Sequence, residues 1–154
     1  MADYFFDSSA LAKRYISETG SDWVIQTTNL ASDNAVFVAN ITGVEIVSAL
    51  SRRVRGGKLA AYDALAAISA LTGDFSAEYF VTDISFAIAK AAMSLAEKHA
   101  LRGYDAVQLA VALNINQANL TFGLPQVVFV SADDALNNAA QAESLGVENP
   151  NNYP

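Results

Sequence analysis

Cysteine is absent from this 154-residue sequence, and histidine occurs once. The lack of cysteine excludes a disulfide framework, a thiol nucleophile and a cysteine-based zinc site. The single histidine, His99, has no partner histidine, so we interpret it as a helix-end residue rather than a metal ligand.

Long apolar runs and a basic N-terminal segment are also missing. No apolar stretch approaches the roughly 20 residues that a membrane-spanning helix needs. The opening, Met1 to Asp7, lacks the basic and apolar regions of a signal peptide. We therefore expect a soluble cytoplasmic protein with no membrane contact.

Glycine and proline are sparse, at eight and three residues, whereas 53% of the residues are hydrophobic and 16% are charged. This composition excludes a disordered chain and favours helices joined by short connections. The length suits a single domain. We predict one domain over residues 1–150, followed by a loose tail at 151–154.

Basic residues are few, and the net charge is −7. That sign does not favour binding of nucleic acid by bulk attraction. All nine basic residues lie at or before Arg102. The candidate RNA phosphate contacts are Lys13, Arg14, Arg52, Arg53 and Arg55. The alternative is a solvated helix face for the first two and a helix end, where cations are favourable, for the three arginines.

Apolar runs predict short strands at 4–6, 36–38, 79–81 and 127–130. The segments between them predict helices at 10–15, 21–30, 42–55, 59–71 and 104–117, from Asp83 or Ser85 to His99, and from Asp133 or Asp134 to Gly146. Ser8 or Ser9 is the predicted cap of the first helix. Strands that alternate with helices indicate an α/β domain around a mainly parallel sheet.

Acidic residues occur at the positions where such a sheet would bind a ligand. Asp7 and Asp133 each follow a predicted strand, and ligands of open α/β sheets gather at the carboxyl ends of strands. Glu45 and Asp105 lie in otherwise apolar helix segments, where an ionised carboxylate is costly unless it is compensated. A shared divalent cation would compensate several carboxylates at once.

The chemistry of such an acidic cluster points to phosphodiester hydrolysis. Mg²⁺ and Mn²⁺ prefer oxygen ligands. Either ion can polarise a phosphate, lower the pKa of a water and stabilise the leaving oxygen. Each acid also has a simpler interpretation, as a helix cap for Asp7 and Asp133, a surface charge for Glu45 and a helix-start charge for Asp105.

Four segments carry a resemblance to a known family. They are Tyr4–Lys13 with its Asp-x-Ser-Ala-Leu pattern, Thr42–Leu50, Leu101–Ala110, and Val130–Asp133 before a helix. Each segment contains one of the acids, and their order is collinear from about residue 3 to residue 150. The sequence resembles the PIN-domain family and, within it, the VapC-type toxins.

This resemblance implies a three-layer α/β/α sandwich and a metal-dependent endoribonuclease that acts as the toxin of a toxin–antitoxin pair. It implies that Asp7, Glu45, Asp105 and Asp133 hold Mg²⁺ or Mn²⁺, with Asp134 as an alternative to its neighbour. Ser9 and Ser131 match hydroxyl positions that could hold a carboxylate. The implied partners are a small antitoxin, the RNA substrate and a second copy of the chain.

Two other functions remain open. One is a binding module that uses the same fold to contact RNA or protein with little cleavage, although the presence of every expected acid argues against it. The other is a phosphatase or phosphotransferase with Asp7 as its nucleophile. That chemistry commonly requires a second Asp two residues later, where this sequence has Ser9.

Overall fold

The computed structural model describes all 154 residues, from Met1 to Pro154. Its five strands are β1 (Asp3–Phe6), β2 (Ala35–Ala39), β3 (Phe80–Thr82), β4 (Val128–Val130) and β5 (Gly146–Glu148). Its seven helices are α1 (Ser8–Leu11), α2 (Ser21–Thr27), α3 (Asn40–Arg55), α4 (Ala61–Ala77), α5 (Phe86–His99), α6 (Gly103–Thr121) and α7 (Asp134–Ala142). None of the helices combines the length and apolar character that crossing a membrane requires.

The five strands form one sheet in the order β3-β2-β1-β4-β5, and every neighbouring pair is parallel. The chain extends from β1 through β2 to β3, then returns to place β4 on the opposite side of β1. The direction of winding therefore changes between β1 and β4. In open α/β sheets such a switch point forms a crevice beyond the carboxyl ends of the strands.

Helices cover both faces of the sheet because successive strand residues point to opposite sides. Phe5 and Phe129 stack with ring centroids 5.7 Å apart, in a core shared with α5, α6 and α7. Phe6 and Val130 lie in the second core, with α1, α2, α3 and α4. This arrangement confirms the predicted three-layer α/β/α sandwich.

The first two helices differ from the prediction. Of the two interpretations of the cap of α1, Ser8 or Ser9 is wrong and Asp7 is confirmed, because the Asp7 carboxylate accepts the backbone N–H of Ala10 at 2.9 Å. The second helix ends at Thr27 rather than at residue 30. The side chain of Asn29 accepts the N–H of Ala31 and so begins a separate 3-10 turn.

The C-terminal segment also differs. The last helix ends at Ala142 rather than Gly146, and Ser144 turns the chain with a φ of 68°. Gly146 then begins β5, which pairs with β4. Beyond this strand Pro150 is buried, and the ring of Tyr153 stacks on that of Trp23 at 4.9 Å. An edge strand with one large apolar residue, Val147, leaves little trace in the hydrophobic pattern.

Candidate active site

Asp7 lies directly after β1, at the switch point of the sheet, and its residue exposure is only 3%. Besides the backbone N–H of Ala10, its carboxylate accepts the hydroxyl of Ser9 at 2.8 and 2.9 Å. The hydroxyl of Ser131, the residue after β4, donates at 2.8 Å. The carboxylate is therefore held in one orientation by donors from both strands' carboxyl ends.

Ser9 and Ser131 also connect this carboxylate to the loop before α7. The hydroxyl oxygen of Ser9 accepts the N–H of Ala132 at 2.9 Å, and that of Ser131 accepts the N–H of Asp133 at 3.1 Å. The structure thus places both predicted hydroxyls against Asp7 and joins them to the backbone that carries Asp133.

Glu45 is half-buried on α3 and is held from α6. The side-chain amide of Gln108 donates to a Glu45 oxygen at 2.6 Å, and Gln108 in turn contacts the hydroxyl of Thr42. Gln108 is buried, and sequence reasoning did not identify it. The spacing could have identified it, because Gln108 lies three residues after Asp105 and a helix places such positions on one face.

Asp105 lies in the first turn of α6, and Asp133 caps α7. The guanidinium of Arg102 joins them, with Nε 3.1 Å from Asp105 and Nη2 3.2 Å from Asp133. Asp134 is exposed and accepts the side-chain amide of Asn149 instead. The geometry therefore groups Asp133, rather than its neighbour, with Asp105. Sequence reasoning did not include Arg102 in the site.

The charges of these acids act on one another. Burial raises the pKa of Asp7 to about 6, and the nearby charge of Glu45 adds to this against the opposing hydrogen bonds. Burial also raises the pKa of Glu45, and the charge of Asp105 adds to it. With the Arg102 link, these couplings connect Asp7, Glu45, Asp105 and Asp133, which we term the acidic cluster.

The acidic cluster matches a divalent metal ion in the kind of ligand it offers, because all its donors are carboxylate oxygens. A cation would also relieve the repulsion between buried like charges. The side chains do not converge in this structure, because no three of them lie close enough together to bind one metal ion. Gln108 holds Glu45, and Arg102 holds Asp105 and Asp133.

The predicted RNA contacts fall into two groups. Lys13 is buried, with its ammonium 3.4 Å from Glu18, and Arg14 pairs with Glu78 at 2.7 Å. The expectation of a solvated helix face is therefore wrong for both residues, because Lys13 is buried and each of the two cations is paired with an acidic side chain. The exposed group lies in the last turn of α3 and consists of Arg52, Arg53 and Arg55.

Comparison with known proteins supports the assignment of the fold. The family model of the PIN domain matches residues 4–141. No curated protein matches the sequence significantly. Among solved structures, PAE2754 from Pyrobaculum aerophilum is 22% identical, with a TM-score of 0.59 over 90% of this chain and 84% of that one.

Two further structures have the same fold. VapC20 from Mycobacterium tuberculosis, described as a sarcin-ricin loop cleaving toxin, is 18% identical, with a TM-score of 0.62 over 88% of this chain and 94% of that one. VapBC2 from Rickettsia felis, bound to a fragment of its promoter DNA, is 14% identical, with a TM-score of 0.61 over 96% and 98%. These likenesses are to the fold, whereas the family model matches most of the sequence itself. The chain therefore belongs to the PIN-domain family.

Proposed function

We propose that this chain is the toxin of a toxin–antitoxin pair and an endoribonuclease that depends on Mg²⁺ or Mn²⁺. The observation that supports this proposal is the acidic cluster of a PIN fold, whose four members come from distant parts of the sequence and are linked by the charge couplings of Asp7, Glu45 and Asp105 and by Arg102. The description of VapC20 as a sarcin-ricin loop cleaving toxin adds support.

In this proposal Asp7, Glu45, Asp105 and Asp133 hold the metal. When bound, the metal stabilises the negative charge that develops on the phosphate and makes a water molecule more acidic. The chain's own contribution is a fixed set of oxygen ligands. Ser9 and Ser131 orient Asp7, and Gln108 orients Glu45, so these two carboxylates are already held in place by the protein.

The proposed partners are a small antitoxin, the RNA substrate and a second copy of the chain. The complex of VapBC2 supports an antitoxin partner by analogy. The surface of α4 also favours a protein partner, because Tyr62 and Leu65 on this helix are 81% and 67% exposed.

The geometry disfavours a phosphatase or phosphotransferase that uses Asp7 as a nucleophile. A nucleophile must reach the phosphorus of a donor, yet Asp7 is 3% exposed and its oxygens already accept from Ser9, Ala10 and Ser131. The acids expected of an active nuclease are all present, which also disfavours a module that only binds.

The test is to incubate the purified chain, freed of any partner, with a mixed RNA pool. The conditions are Mg²⁺, Mn²⁺ or EDTA, each repeated with the Asp7→Asn variant. We expect cuts that require metal and that the variant does not make. If the wild type neither cuts RNA nor binds metal, the catalytic proposal is overturned and the binding module is favoured.

A further inference from the structure

Arg102 occupies a special position in the site. It stands at the N-cap of α6, and its guanidinium lies between Asp105 of that helix and Asp133 of the loop before α7. It is the sole basic side chain paired with any member of the acidic cluster. Its side chain is nevertheless 81% exposed.

This contact conflicts with metal binding. A guanidinium is a donor only, and each carboxylate oxygen that it holds is less available to a metal ion. With Arg102 in place the acidic cluster does not converge on a common point. Arg102 donates to Oδ2 of Asp105 and to Oδ2 of Asp133, so a divalent ion that binds through these two oxygens displaces the guanidinium.

Displacement of Arg102 is physically easy, because ion pairs between exposed groups are weak and its long side chain can turn into solvent. Once released, the guanidinium remains tethered beside the metal site. The nearest new anion is then the phosphate of a bound nucleic acid, which the planar fork of an arginine binds through two parallel hydrogen bonds.

We propose that Arg102 exchanges partners during the reaction cycle. Without metal it neutralises Asp105 and Asp133, and with metal bound it is released to hold a phosphate of the RNA. This inference rests on the proposed nuclease function. It predicts that Arg102 lowers the affinity of the protein for metal and raises its affinity for RNA.

The first arm of the test is a calorimetric titration of metal-free protein with Mn²⁺ alone. Arg102→Gln is compared with the wild type and with Lys98→Gln, which removes an exposed cation from Glu143 outside the site. We expect Arg102→Gln to bind Mn²⁺ about 2- to 5-fold more tightly, the factor that corresponds to loss of one exposed ion pair. We expect Lys98→Gln to bind Mn²⁺ as the wild type does.

The second arm measures binding of a fluorescein-labelled phosphorothioate RNA 12-mer of mixed sequence by anisotropy. At saturating Mn²⁺ we expect Arg102→Gln to bind the 12-mer about 10- to 100-fold more weakly, the loss typical of one charge-assisted contact. In EDTA we expect no difference, because Arg102 is then held by carboxylates.

Unchanged or weaker Mn²⁺ binding by Arg102→Gln would overturn the exchange, as would equal loss of RNA binding with and without metal. Failure of the nuclease proposal itself would give a different result. In that case wild type and Asp7→Asn would both fail to bind Mn²⁺, whatever residue stands at position 102.

Discussion

Asp7 has two tasks that oppose each other in the metal-free protein. As the cap of α1 it must accept the N–H of Ala10, and as a buried carboxylate it carries a charge that the surroundings disfavour. The donors Ser9 and Ser131 reduce this cost but do not remove it, since the pKa still rises to about 6. The residue is therefore more costly to the fold than an uncharged cap, which is typical of groups kept for chemistry.

The first prediction concerns pH. Between its ordinary pKa of 3.8 and its folded pKa of about 6, Asp7 keeps its proton in the folded protein and loses it in the unfolded chain. Stability therefore falls as pH rises through this window, and the loss persists above it. The two values correspond to roughly 3 kcal/mol at neutral pH. Asp7→Asn lacks this charge, so its stability relative to wild type should improve from pH 4 to pH 7.5.

Urea unfolding in EDTA at both pH values measures this difference. Asp134→Asn is the control, because that exposed carboxylate contacts only Asn149 within the chain. Its stability relative to wild type should change little between the two pH values. A constant difference between Asp7→Asn and wild type across this range would show that Asp7 has no raised pKa.

The second prediction concerns Gln108, which holds Glu45 through its amide. Gln108→Leu keeps a similar volume but leaves the carboxylate of Glu45 and the hydroxyl of Thr42 without this donor. We expect a loss of about 1 to 3 kcal/mol in the free energy of unfolding, because buried polar groups lose their partner. Calorimetry should also show weaker Mn²⁺ binding. Mn²⁺ affinity equal to that of the wild type would show that Gln108 does not position Glu45.

At the scale of elements, the sequence pattern located the buried strands and the acids that follow them. The runs around Phe5, Val38 and Phe129 are continuous apolar segments, as expected for strands covered on both faces. The pattern missed β5, whose edge position requires little apolar surface. It also missed Arg102 and Gln108 as site residues, because their roles depend on which side chains from other elements they meet.

The third prediction tests the packing of the C-terminal turn against α2. Gly20 precedes α2 with a φ of 86°, and a Cβ there would lie 2.2 Å from the carbonyl oxygen of Pro150. Gly20→Ala should therefore cost about 3 kcal/mol or more, because backbone strain and a backbone clash add. Gly57→Ala is the matched control, since its φ is 69° but nothing lies within 4 Å of its Cβ.

Thermal unfolding of these two glycine variants measures the difference between their losses of stability. Gly57→Ala should lose only about 1 kcal/mol, the cost of the left-handed conformation alone. Equal losses in the two variants would mean that the turn at Pro150 does not pack against Gly20 in solution, and that the C-terminal residues are loose after all.

At the scale of the whole molecule, the charge distribution is unusual for the ribonuclease that we propose. The net charge is −7, yet the last turn of α3 exposes three arginines. Arg53 is paired with Glu18, which leaves Arg52 and Arg55 without an acidic partner. RNA binding should therefore depend on a local basic surface rather than on overall attraction.

The fourth prediction uses salt dependence. Each phosphate contact to a single strand contributes about 0.7 to the slope of log affinity against log salt. If Arg52 and Arg55 each contact a phosphate, the double variant Arg52→Gln/Arg55→Gln should lower that slope by roughly 1.4. Binding of single-stranded RNA in EDTA measures it. The control is Lys90→Gln, which changes an exposed residue of α5 on the opposite face of the sheet and should leave the slope unaltered. An unchanged slope in the double variant would show that Arg52 and Arg55 do not contact RNA phosphates.

The measurement that tests the central claim most directly is RNA cleavage at limiting Mg²⁺ by a series of neutralised acids. Asp7→Asn, Glu45→Gln and Asp105→Asn are compared with Asp134→Asn, and circular dichroism confirms that each variant is folded. The account predicts that the first three each lose cleavage by about 100-fold or more, because each removes a ligand charge from one shared site. It predicts that Asp134→Asn cleaves like the wild type. Full activity in the first three variants would contradict the account.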